Sequence, residues 1–116
     1  MEYQERFTDA ELTSIIEQGM IYMCACPAQV ADAVRKMREL LRYQTACLAN
    51  PNNDRLVHET ITQSTIAAHA ILQDCLDDVI RQENWDRATL QMPPHLRERL
   101  MQEMLADEPP LNGHAT

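Results

Sequence analysis

The side chains best suited to chemistry are four cysteines, Cys24, Cys26, Cys47 and Cys75, whose thiols are soft ligands of the kind that select Cu(I) or Zn. Cys24 and Cys26 flank a single alanine and lead into Pro27. A disulfide across such a C-x-C pair closes a very small ring, so it is strained and easily reduced, which suits a redox switch. Recognised zinc patterns join two C-x-x-C units or add His at set spacing, and neither occurs here. The plainer reading makes Cys24-x-Cys26-Pro27 a helix-breaking turn and leaves Cys47 and Cys75 as buried small hydrophobes.

Other candidates carry less. His58 and His69 lie eleven residues apart, close to three helical turns, so they share a helix face with Thr62 and Thr65 between them. At roughly 16 Å along the axis they cannot chelate one ion within a chain, and solvated or hydrogen-bonded imidazoles are expected. Asp74, Asp77 and Asp78 invite a carboxylate-metal reading, but the Glu-x-x-His signature of di-iron bundles is missing and a solvated face is the expectation. No G-x-S-x-G, Walker loop, H-E-x-x-H or dinucleotide fingerprint is present, so nothing in the sequence supports catalysis.

The elements that must position these groups read as helices. Phe7-Thr8-Asp9-Ala10-Glu11-Leu12 opens the first: Thr8 caps, Glu11 closes the capping box and Phe7 staples onto Leu12. Leu12, Ile15, Ile16, Met20 and Met23 recur on its buried stripe. Gly19, within that helix, costs about 1 kcal/mol relative to Ala, which points to a close helix approach or a bend. Pro27 disfavours a helical Cys26 and opens a second helix, with Cys26 as its N-cap, that runs to about Ala49. Its stripe is Val30, Val34, Met37, Leu41 and Leu48, and Arg35, Lys36, Arg38, Glu39 and Arg42 are expected off it, in water.

Asn50-Pro51-Asn52-Asn53 reads as a turn in which any of the three Asn can cap the next helix. That third helix runs to about Glu83, with Leu56, Val57, Ile61, Ala68, Ile71, Leu72, Cys75, Leu76 and Val79 as its apolar set. Asn84 and Trp85 end it. Pro93-Pro94 opens a short fourth helix with Leu96, Leu100, Met104 and Leu105 on one side, which folds back on the bundle or packs on another subunit. Core filling is the expected role of most of the seven Met.

The expected architecture is therefore all-α, an antiparallel bundle of three main helices and a short fourth, spanning residues 1–106 as one domain with 107–116 as a flexible tail. Because the chain doubles back near Pro51, Cys26 and Cys75 fall at one end of the bundle with Cys24. These three are the candidate metal ligands or redox pair.

Composition limits the partners. Eighteen acidic residues against ten basic ones give a formal charge of −8 without a basic cluster, which disfavours nucleic acid and anionic membrane. No apolar run approaches a membrane span, and Met1-Glu2-Tyr3-Gln4-Glu5 lacks a basic n-region and an apolar h-region, so a cytoplasmic setting is expected. A three-helix core with few aromatics has limited apolar area, so self-association as a homodimer is expected. The leading functional expectation is a non-enzymatic helical module for interaction or regulation, binding itself or a protein partner and needing no cofactor. The alternative is a thiol sensor for copper, zinc or redox state that uses Cys24, Cys26 and Cys75.

Overall fold

A computed structural model of the chain describes residues 3–22 and 26–106, with side chains except those of Met20, Ile21, Tyr22, Leu100 and Met104. The proposed tail at 107–116, Cys24 and Met23 lie outside the described residues. The fold is all-α, with four helices and no strand among the described residues: α1 is Asp9–Tyr22, α2 Cys26–Leu48, α3 Arg55–Gln82 and α4 Pro94–Ala106.

Each boundary has a local cause. The Thr8 amide donates to Glu11 Oε1 at 2.9 Å and the Glu11 amide to Thr8 Oγ1 at 3.0 Å, which is the capping box expected at the head of α1. At α3 the cap is Asp54 and not one of the asparagines: its carboxylate accepts from the amides of Leu56 and Val57. The asparagines build the turn instead. Asn50 Oδ1 accepts from the Asn52 amide, and Asn53 Nδ2 closes onto the carbonyl of Cys47 near the end of α2.

The exit of α3 is a Schellman motif. Asn84 takes the left-handed conformation at φ 60°, the Asn84 amide donates to Arg81 O, and the Trp85 amide reaches back to Ile80 O at 3.0 Å. The hydrophobic pair that accompanies such a cap is Trp85 and Ile80, and both are buried. The loop then folds on itself through Asp86, whose carbonyl accepts from Leu90 N at 2.6 Å. Leu90 sits at φ 56°, a conformation costing about 1 kcal/mol for a residue with a Cβ, and in return places its side chain in the core.

Two bonds fix how α2 and α3 lie. Gln44 meets His58 near the turn and Arg38 meets His69 farther from it, so the helices run antiparallel. α1 starts with Asp9 beside Arg38 and Arg42 and ends near the residue that opens α2, so it runs back along the same half of the hairpin. The apolar core gathers there, from Phe7, Leu12 and Ile15, Ala28, Ala31 and Val34, Leu76 and Ile80, and Trp85, Leu90, Met92 and Leu96. Met92 and Leu96 fold α4's entrance back onto the bundle, whereas Met101 and Leu105 further along α4 are exposed.

Two expectations fail. Arg38, placed in water by the sequence reading, is completely buried at 0% exposure. The inward face of α3 is not the apolar set: Leu56 is 74%, Val57 49% and Ile71 67% exposed and Cys75 is exposed, while Thr62, Thr65, His69 and Gln73 are buried alongside Leu76 and Ile80. The cause is Arg38. A buried guanidinium needs acceptors, and α3 turns its polar flank inward to supply them.

Because Asp54 supplies the cap, Asp54→Ala is expected to cost about 1 kcal/mol in denaturant unfolding, with Asn52→Ala close to neutral. Equal losses for the two would return the cap to the asparagines.

Candidate functional site

Around Arg38 the structure assembles a polar site that the sequence did not announce. The arginine lies at 34-38-41 spacing between Val34 and Leu41, both buried, so the helix itself carries the guanidinium inward. Its Nε donates to His69 Nε2 at 3.0 Å, Nη1 to Asp9 Oδ1 at 2.8 Å, and Nη2 to Phe7 O at 2.6 Å and Gln73 Oε1 at 2.9 Å. Glu5 Oε2 stands 3.6 Å from Nη1. Four segments therefore meet at one cation: the residues before α1, then α1, α2 and α3.

Gln73 is the second anchor. Its side-chain oxygen also accepts from the Arg6 amide at 2.9 Å, and its nitrogen donates to Gln4 O at 2.8 Å. One amide side chain thus grips both sides of Glu5 through backbone groups alone. The segment Tyr3–Phe7 is held across the bundle by these bonds, by Arg6 pairing with Asp74 and Asp77, and by Arg87. Arg87 donates to Arg6 O and Glu11 and lies 4.3 Å over the Phe7 ring. Tyr3 packs edge-on against His69 with ring centroids 5.0 Å apart.

The protonation states follow from these partners. Since Arg38 can only donate, His69 Nε2 must accept, so the imidazole is neutral with its proton on Nδ1. Burial, and then the Arg38 charge, hold the His69 pKa below its ordinary value, with Glu5 pulling weakly the other way. The Asp9 carboxyl is also held below its ordinary value, first by the hydrogen bond from Arg38. Thr62 and Thr65 satisfy their buried hydroxyls on the carbonyls of His58 and Ile61, four residues back.

A cavity of about 420 Å³ opens between this N-terminal segment and α3, walled by Tyr3, Arg6, Ile66, His69, Ala70 and Asp74. It holds no nucleophile paired with a base, and among the described residues no group of three or more His, Cys, Asp or Glu is gathered to hold a metal ion.

Of the three expected thiol ligands the structure describes Cys26 and Cys75. Cys26 is exposed at the start of α2 and Cys75 is exposed on the last third of α3, while Cys47 is half-buried near the turn. The Gln44–His58 and Arg38–His69 contacts join residue numbers that sum to 102 and 107, so Cys26 stands opposite the stretch from 76 to 81. Cys26 and Cys75 thus share an end of the hairpin. Cys24, the third expected ligand, is outside the described residues. Of the two histidines, His58 is bonded to Gln44 Oε1 at 2.6 Å and His69 to Arg38, as hydrogen-bonded imidazoles. Asp74 and Asp77 pair with Arg6, and Asp78 with Arg81.

Comparison of the chain with protein-family models, with curated proteins and with solved structures finds no match.

The guanidinium fork serves acceptors in several directions at once, which an ammonium cannot do. Arg38→Lys is therefore expected to lose roughly 3 kcal/mol of unfolding free energy, comparable to breaking a buried charged network. A loss under about 0.5 kcal/mol, the size of an ordinary surface substitution, would show that the network is dispensable.

Proposed function

We propose that the chain is a non-enzymatic helical interaction module that associates with itself or with a protein partner through the open flank of the α2–α3 hairpin. The observation that carries this reading is the face of α3 that the core leaves out. Val57, Ile61, Ser64, Ala68, Ile71 and Cys75 recur at spacings of 4, 3, 4, 3 and 4, so they form one line along the helix, and each is exposed or half-buried.

From Thr60 to Gln73 the helix carries no Asp, Glu, Lys or Arg, although such residues make up 24% of the chain. Small side chains in the middle of the line, Ser64 and Ala68, allow another helix to approach closely. On α2, Ala33, Leu40 and Cys47 repeat every seven residues and are half-buried. That period matches a helical partner's seam.

Sedimentation velocity at tens of micromolar is expected to show a species of twice the chain mass. The double variant Val57→Asp, Ile71→Asp should return it to monomer with unchanged helical circular dichroism, because both positions face water in the single chain. A wild-type chain that is monomeric throughout would defeat self-association.

A thiol-based metal or redox sensor remains the second reading, supported by exposed Cys26 and Cys75 at one end of the hairpin. Protein purified without chelator should then carry copper or zinc, or lose thiols on mild oxidation. Four unchanged thiols and no bound metal would remove it.

A further inference from the structure

Phe7 is buried in the apolar core, and the residues before it, Tyr3–Arg6, are attached mainly by polar bonds that converge on two buried side chains, Arg38 and Gln73. Arg38 in turn is oriented by His69, whose Nε2 accepts the Nε–H and which is itself only 1% exposed. Nε2 is the only basic atom of the neutral ring, so an added proton must enter there. Once protonated, that nitrogen no longer accepts, and two donors carrying positive charge face each other across a 3.0 Å contact out of reach of water.

We infer that Tyr3–Arg6 is a strap hinged at the buried Phe7 and latched by the neutral His69, and that protonation of this one imidazole at mildly acid pH releases the strap while the helices stay folded.

The charges around the ring do not offset the added one. From the strap, Tyr3 lies on the ring and Glu5 is near, with Arg6 lining the same cavity. From α2, Arg38 faces it directly and Arg42 stands behind Asp9. From α1, Asp9 is shared between those two arginines, and on α3 Asp74 is occupied by Arg6. Glu5 favours the charged ring, but it already accepts from the Tyr3 hydroxyl at 3.1 Å and stands 3.6 Å from Arg38.

Relief comes most readily by moving Arg38. The same guanidinium bonds Phe7 O, at the hinge of the strap, and Gln73 Oε1, the atom that accepts the Arg6 amide, so its displacement removes the first bond and takes away the partner that orients the second. The apolar core of Val34, Leu76 and Ile80 makes no use of these bonds and keeps the helices together. Opening exposes His69, Gln73 and the wall of the 420 Å³ cavity.

The sign is fixed by linkage. The closed form has the lower His69 pKa and the open form the ordinary one, about 6.5, so closure is fully favoured above that value and weakens as pH falls through it. Between the ordinary value and the depressed one, the open fraction rises about tenfold per pH unit.

Amide hydrogen exchange on the full chain, expressed as protection factors, tests this at pH 7.5 and pH 5.5. Protection of the Arg6 amide should fall, by at most about tenfold, while that of Val34 and Leu76 is retained. His69→Gln, which can still accept but cannot take a proton in this range, should abolish the step. Glu5→Gln, which removes the carboxylate that favours the imidazolium in the closed form, should leave the onset unchanged and deepen the loss of protection at the lowest pH. Constant Arg6 protection, a step that survives His69→Gln, or simultaneous loss at Val34 and Leu76 would each overturn the proposal.

Discussion

A cation sealed among helices must find an acceptor for every donor it carries, and Arg38 sets that demand on the rest of the molecule. The helix that faces it cannot present leucine; it presents a histidine and a glutamine. The chain entering α1 cannot simply fray, because the carbonyl of Phe7 and the carboxylate of Asp9 are both needed. What would otherwise be three amphipathic helices meeting through oil is divided: an apolar core at the end capped by Trp85, Leu90 and Met92, and a polar seam from Gln73 back to His58. Such a seam bears on register, since sliding one helix past the other by a single turn would separate Arg38 from His69 and Gln44 from His58.

That division explains what was legible beforehand. Local signals read correctly at the capping box of Thr8 and Glu11, the turn after Ala49 and the stop at Asn84 and Trp85, whereas Cys26, expected as an N-cap outside the helix, is the first residue of α2 with Pro27 in its first turn. The reading of α3 failed because it assumed that buried means apolar. His58, Thr62, Thr65 and His69 had been placed together on one face, and continuing their spacing through Gln73 to Leu76 and Ile80 would have traced the inward side. The apolar letters misled because an apolar face turned to solvent looks the same in sequence as a face turned to its own core.

Arg38 was legible in principle as well. Its position between Val34 and Leu41 puts it on the stripe, and only the habit of assigning arginine to water moved it off. The strap could not be read at all. The irregular chain of Tyr3–Arg6 carries no periodicity, and its bonds reach residues about seventy positions away through backbone atoms that every sequence shares. The thiols fall between these cases. Their heights follow from the antiparallel pairing, but the direction in which Cys75 points follows from the polar seam and was missed with it.

Burying one guanidinium also alters how the protein is felt at a distance. Of ten basic side chains, Arg38 has its charge enclosed and opposed within the fold by Asp9 and Glu5. What reaches approaching molecules is a long-range field set by the remaining, mostly acidic, exterior, partly quenched where Arg6 and Arg81 lie on the aspartates of α3. Association in dilute salt must therefore work against mutual repulsion between copies. Added electrolyte screens that repulsion and so lowers the electrostatic cost of bringing two copies together.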